Sequence, residues 1–324
     1  VIRDAVGIEW SVILVVTMRA KKVDMNHMTK VLIFLAAVGF CGCGRFNSAG
    51  ATAIEATSSE VYKTVGKDKL NLYIFAPDKV KADELRPAIV FFFGGGWSTG
   101  SPKQFETQAR YFASRGMVAI TVDYRVRTRH NAKVTDCVAD ARSAVRWVRA
   151  NSKRLGIDPD RIAASGGSAG GHLAASTAFI DEFDEVSEDK KVSAEPNALI
   201  LFNPALILAP LPGHSLVVSG AQLKPEFLGA EASRLSPGHH VQSGGPPTII
   251  FHGRADATVP YQASEIFTDV MKSKGNSCTL YGYADQGHGF FNQDPWRSRT
   301  LIEADEFLGS LGWIEGKPTL KDGG

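Results

Sequence analysis

Four cysteines in 324 residues are too few for a disulfide framework, and two of them, Cys41 and Cys43, fall in the first fifty. The other two, Cys137 and Cys278, stand in no paired spacing and read as buried free thiols, so no metal motif uses them. Excess charge is also missing. Thirty-six Lys and Arg against 34 Asp and Glu leave a net +2, scattered without a basic stripe, so no nucleic-acid partner is expected. A phosphate-loop Gly-Lys-Ser/Thr is absent, and a dinucleotide Gly-x-Gly-x-x-Gly fails where Ser168 occupies the second glycine position. No cofactor and no metal are therefore expected. With 44% hydrophobic and 22% charged residues, the chain is globular rather than fibrous or disordered.

Residues 1–46 differ in character from the rest and read as a leader. Lys30, the apolar run 31–40 and then Cys41-Gly42-Cys43-Gly44 follow the charged, apolar, small-residue order of an export signal. Ten residues are half of the roughly 20 that a helical span requires. Three readings stay open: a lipoprotein signal with an anchor on Cys43, a plain cleaved signal, or an apolar arm packed on the fold. The stretch ahead of Met25 begins with Val and reads as lying upstream of the true start. Export to the periplasm or cell envelope follows as the expected localisation. Residues 47–60 are small and polar, a tether; 61–315 form one catalytic domain and 316–324 a tail.

Within the domain, 61–65 and 70–75 flank a turn and predict an antiparallel pair. The continuous apolar runs 88–93, 117–122, 198–202 and 248–252 predict strands covered on both faces, joined by a short strand 161–165 and another at 279–283. Apolar residues at helical spacing, such as Phe105, Ala109 and Phe112 or Val138, Ala141, Val145 and Val148, place helices between them. Further helices are expected at 261–274 and 299–311, and a turn at Asp158-Pro159-Asp160. Repeated strand-helix units imply an α/β class with a mostly parallel sheet and helices on both faces. The long Pro- and Gly-rich stretch 203–247 is expected to wall a pocket.

The strongest chemical signal is Gly166-Gly167-Ser168-Ala169-Gly170, set between a strand and an Ala-rich helix. A serine held on so sharp a turn needs neighbours without bulk, and the helix behind it offers free amides to negative charge. Serine at its ordinary pKa also needs a base and an orienting acid. His288, between Gly287 and Gly289 after strand 279–283, and Asp256, after strand 248–252, both belong to loops at the C-terminal edge of a parallel sheet. Asp285 lies too near His288 in sequence to reach back, and Asp123 precedes the nucleophile's strand. His172, His252 and the His239-His240 pair suit structural or solvent-facing roles better. Gly95 and Gly96, with Ala169 as the other arm, are expected to form an oxyanion hole, because glycine lets amides turn toward a ligand. Trp97 either lines a substrate pocket or belongs to the core.

With these residues assembled, the chain resembles the α/β-hydrolase esterase/lipase family, near its hormone-sensitive-lipase-like and carbohydrate acetyl-esterase groups. The likeness covers roughly 61–311. It rests on Phe93-Gly94-Gly95-Gly96-Trp97 against the family's His-Gly-Gly-Gly-Trp and on Val122-Asp123-Tyr124-Arg125. It rests equally on Gly166-Gly167-Ser168-Ala169-Gly170-Gly171, on Phe251-His252-Gly253 with Asp256 and Val259-Pro260, and on Gly287-His288-Gly289-Phe290. The resemblance implies a triad of Ser168, Asp256 and His288 and an oxyanion hole of Gly95, Gly96 and Ala169. Phe93 in place of the first histidine implies a looser hole. Gly167, where hormone-sensitive-lipase-like members carry Asp, tilts the likeness toward the carbohydrate-esterase side. The expected activity is hydrolysis of short acyl esters, with acetylated carbohydrate as one substrate class. The rival expectations are a prolyl-oligopeptidase-like serine peptidase and a hydrolase-fold binding protein without turnover.

Overall fold

The computed structural model describes residues 53–78, 84–214 and 223–321. The expected leader, with Cys43, lies outside them. Among the described residues eight strands make one sheet: β1 Ser58–Val65, β2 Asp68–Phe75, β3 Arg86–Phe92, β4 Val118–Val122, β5 Ile157–Gly167, β6 Ala198–Phe202, β7 Thr248–Gly253 and β8 Cys278–Tyr283. Their order is β1-β2-β4-β3-β5-β6-β7-β8. β1 and β2 pair antiparallel, as do β2 and β4, and every other pair is parallel. The strand order therefore turns back on itself between β3 and β5, where loops leaving the two strands diverge and open a crevice.

The described helices are α1 Glu106–Ser114, α2 Arg127–His130, α3 Val134–Ala150, α4 Ser152–Leu155, α5 Ala169–Phe179, α6 Pro225–Leu228, α7 Tyr261–Ser273 and α8 Trp296–Ser310. They divide between the two faces of the sheet because successive side chains of a strand point to opposite faces. In β3, Ile89 and Phe91 join Phe105, Phe112, Leu301 and Leu308 on the face covered by α1 and α8. Ala88, Val90 and Phe92 join Val138, Val145, Leu173 and Phe267 on the face covered by α3, α5 and α7. Helix α5 buries every residue from Ala169 to Thr177, which its run of Ala and Gly permits. This is the architecture expected from the sequence, an α/β-hydrolase fold. None of the helices among the described residues is long and apolar enough to cross a membrane.

Three boundaries differ from expectation. β1 starts at Ser58, and Thr57 already donates its amide to Ile74 O at 2.8 Å, so the end of the supposed tether is sheet. Leu320 packs against the core, so the supposed tail is partly anchored. β5 begins at Ile157 rather than Arg161, and the residues expected as a turn form a bulge in it. Arg86 pairs with Ile157 and Ala88 with Ile162, leaving 158–161 opposite Pro87 alone. Both prolines lack an amide hydrogen, and an irregular register spares them a ladder bond they are unable to make.

Candidate active site

β5 delivers Ser168 to the crevice on a turn that bulkier sequence would not allow. Its φ of 56° and ψ of −119° are unfavourable for a residue with a side chain. The turn is held because Ser168 N donates to Phe202 O at 2.9 Å and Ser168 O accepts from His172 N at 3.0 Å. A Cβ on Gly170 would fall 2.0 Å from Phe92 O, and one on Gly166 would fall 2.4 Å from Gly170 O. Glycine at 166 and 170 is thus required by the close passage of β3, β5 and α5. Gly167 has its own reason: a Cβ there would meet Phe291 Cζ at 2.5 Å. The Phe291 ring occupies the space a side chain at 167 would need.

The loops after β7 and β8 bring the other two groups to the serine. His288 Nε2 lies 2.9 Å from Ser168 Oγ, and His288 Nδ1 lies 2.7 Å from Asp256 Oδ2. The carboxylate only accepts, so the imidazole proton sits on Nδ1 and Nε2 is left to accept from the serine hydroxyl. The two loops are joined by backbone: Arg254 N donates to Tyr283 O at 2.9 Å and Ala255 N to Gln286 O at 3.0 Å. Gly253 permits the approach, since a Cβ on it would lie 2.2 Å from Gln286 O.

Asp256 is buried and richly solvated by protein. Oδ1 accepts from the amides of Thr258 and Val259 at 2.8 and 2.9 Å. Oδ2 accepts from Asn203 Nδ2 at 2.8 Å in addition to His288, with His252 Nε2 3.3 Å away. Burial alone raises its pKa, but the bonds from His252, His288 and the Val259 amide outweigh that and hold the carboxyl well below the usual range. Asn203 escaped the sequence reading. It follows β6 directly, at the same sheet edge as the other groups, and its φ of 42° suits an asparagine. That position was the available signal.

Around the serine, Gly95, Gly96 and Trp97 have φ of 124°, 59° and 56° in succession, a run of left-handed backbone that lines the cavity. Among the described residues no acceptor takes the amide hydrogens of Gly95, Gly96 or Ala169. Phe93, where the motif's histidine led to the expectation of a looser hole, brings contacts of its own to the loop. Phe93 stacks on Tyr124 with centroids 4.1 Å apart, and Tyr124 Oη donates to Phe93 O at 2.7 Å. Gly94 N donates to Gln104 Oε1 at 2.6 Å. Trp97 is both core and wall. Its Nε1 donates to His172 Nδ1 at 3.2 Å, and it borders a cavity of about 380 Å³. Ser168 and His288 open into that cavity, whose apolar walls include Ala205, Leu208, Val259 and Phe291. Two of these come from the long stretch 203–247, as expected of a pocket wall.

The remaining candidates have structural surroundings. His172 is fully buried, its Nε2 bonded to Leu235 O at 2.7 Å, and burial pushes its pKa down to about 4. His252 bonds Ser264 Oγ and Val259 O. Asp285 is exposed, and Asp123 pairs with Arg129 at 2.8 Å. Cys137 and Cys278 are buried and free. Among the described residues no group of three or more His, Cys, Asp or Glu side chains is arranged to hold a metal ion.

Thermogutta terrifontis esterase 2 phosphonylated by sarin superposes with a TM-score of 0.79 at 48% identity, over 82% of this chain and 98% of that one. The butyrate-bound form of the same esterase gives 0.77 and 48%, over 82% and 97%. An isoprenylcysteine alpha-carbonyl methylesterase of Arabidopsis thaliana is 28% identical over 74% of this chain. The chain covers 58% of that relative, a little over half its length. The BD-FAE family profile matches residues 72–271, from β2 to α7. The chain belongs to the BD-FAE family, within the esterase/lipase branch of the α/β-hydrolases.

Proposed function

We propose that this chain is a serine carboxylic ester hydrolase that works through an acyl-enzyme on short acyl esters. The observation that carries the reading is the continuous relay from Ser168 Oγ through His288 to Asp256, at 2.9 and 2.7 Å, beside the amides of Gly95, Gly96 and Ala169, which have no acceptor among the described residues. In the proposed cycle Ser168 Oγ attacks the ester carbonyl carbon while its proton passes to His288 Nε2. The carbonyl oxygen takes up the negative charge and accepts from Gly95, Gly96 and Ala169. Asp256, held ionised, stabilises the imidazolium. Collapse of the tetrahedral intermediate breaks the bond to the alcohol, which leaves with the proton from His288. A water that gives a proton to His288 then attacks the acyl carbonyl carbon, and collapse of that second intermediate releases the carboxylic acid as His288 returns the proton to Ser168 Oγ.

Two facts about the neighbour support the reading. Its phosphonylation by sarin is the chemistry of an activated hydroxyl, and its complex with butyrate fits a pocket for a short acid. The apolar cavity of about 380 Å³ suits a small acyl group in the same way. The substrate class stays open, and acetylated carbohydrate is favoured by the family resemblance at Gly167 alone. The test is hydrolysis of p-nitrophenyl esters of increasing acyl length. Ser168→Ala is expected to lower kcat on the acetate by more than about a thousandfold. Undiminished turnover in that variant would overturn the proposal.

A further inference from the structure

Phe93 leaves the oxyanion loop without a polar side chain where the family motif has a histidine, yet the peptide joining Phe93 and Gly94 is gripped at both polar atoms. Tyr124 Oη donates to its oxygen at 2.7 Å, and its N–H donates to Gln104 Oε1 at 2.6 Å. Gln104 does not stop there. Its Nε2 donates to Asn292 Oδ1 at 3.2 Å, and Asn292 Nδ2 donates to Gly289 O at 2.9 Å. Gly94 directly precedes the two glycines with free amides, and Gly289 directly follows His288. We propose that Gln104 and Asn292 are positioning residues, an amide strap that ties the oxyanion loop to the histidine loop and sets how well Gly95 and Gly96 meet the developing charge. The inference rests on the esterase reading.

The direction of the strap is fixed by its ends. A backbone N–H only donates and a backbone C=O only accepts, so neither side-chain amide is able to flip without breaking a bond. The four groups form a one-way chain in which each bond polarises the next. The turn that carries Gln104 is itself rigid. Gln104 N donates to Ser101 O at 3.2 Å, and the next residue, Phe105, stacks on Phe91 and Phe291 with centroids 5.1 and 5.9 Å apart. Both amide side chains also border the cavity beside Ser168. The walls of that cavity are largely apolar, and ground-state binding of the ester is expected to rest mainly on them. A strap that acts through Gly94 therefore influences the transition state more than substrate binding, and its loss belongs in kcat rather than KM.

The test uses Gln104→Met, which keeps the length and loses both polar atoms, with Asn292→Ala and the double variant. Turnover of p-nitrophenyl acetate and the rate of Ser168 labelling by a fluorophosphonate are read on proteins first shown folded by their thermal transitions. Gln104→Met is expected to lower kcat about thirtyfold, less than outright loss of an oxyanion donor, with KM within about twofold. Asn292→Ala is expected to cost about fivefold, and the double variant no more than Gln104→Met alone, because the two act in series. Labelling rates are expected to fall in the same order. An unchanged kcat in Gln104→Met, a loss carried by KM, or losses that multiply in the double variant would each overturn the proposal. If Gln104→Met does not fold, Asn292→Ala decides: an unchanged kcat overturns the strap and a kcat loss at constant KM supports it. Failure of the wild type to label at Ser168 would strike the esterase reading itself, whereas equal labelling rates in wild type and variants would strike the strap alone.

Discussion

At the scale of one residue, Asn203 is an amide that reaches the proposed relay. Its Nδ2 is one of the donors on Asp256 Oδ2, while its own Oδ1 is buried without a hydrogen-bond partner among the described residues. An orphaned buried carbonyl costs on the order of 1–3 kcal/mol. Keeping it makes sense if the donor orients the carboxylate that orients His288. Asn203→Ala is expected to lower kcat about tenfold with KM little changed. Asn203→Asp is expected to be worse, because a second carboxyl 2.8 Å from Asp256 Oδ2 forces the pair to share a proton and takes the full negative charge away from the imidazolium. Steady-state kinetics across pH 5 to 9 checks both, and an Asn203→Asp enzyme as active as wild type would refute the assigned role.

Helix α5 and the strands beneath it are bound by a steric requirement. A methyl on Gly170 would lie 2.0 Å from Phe92 O and 2.5 Å from Phe93 O, both backbone atoms that have no room to yield. Gly170→Ala is expected to give insoluble protein or a thermal midpoint lower by on the order of 10 °C. Gly275→Ala is the control: its φ of 78° is strained for alanine, but nothing lies within 4 Å of the added carbon, so a drop of a few degrees is expected. Comparison of the two melting curves isolates the packing from the backbone contribution. The elbow was legible in the sequence for this reason, since small residues at fixed offsets are the direct trace of a close crossing. The strap through Gln104 was not legible. Its partner is 188 positions away, and no local pattern announces which loop a glutamine on a four-residue turn will face. The bulge in β5 was hidden in the same way, because a proline flanked by aspartates looks like a turn until the neighbouring strand supplies a register to slip against.

At the scale of the whole molecule, the mostly parallel sheet and the helices on both its faces followed from continuous apolar runs alternating with helical spacing, whereas the order of the strands came from the structure alone. The start of β1 and the anchoring of Leu320 did not, since polar edge residues and a lone leucine carry little periodic signal. Whole-molecule stability also has a titrating contributor at its centre. His172 joins Trp97 to the carbonyl of Leu235 and stays neutral because burial pushes its pKa from the ordinary 6.5 down to about 4. Between those values the unfolded chain binds a proton that the folded one refuses, so folding stability falls as pH drops from about 6.5 and the loss levels off below about 4. His172→Gln keeps an acceptor for Trp97 and a donor for Leu235 without titrating. Urea unfolding at pH 7 and pH 4.5 is expected to show a smaller pH difference in that variant than in wild type, and an equal difference would remove His172 as the cause. The parallel strands have one last implication. Gly95, Ser168, Asn203, Asp256 and His288 all follow the exits of β3, β5, β6, β7 and β8, so the rim where those strands enter carries none of these groups. A support that grips the protein by the entry rim leaves the mouth of the proposed active site turned toward the medium.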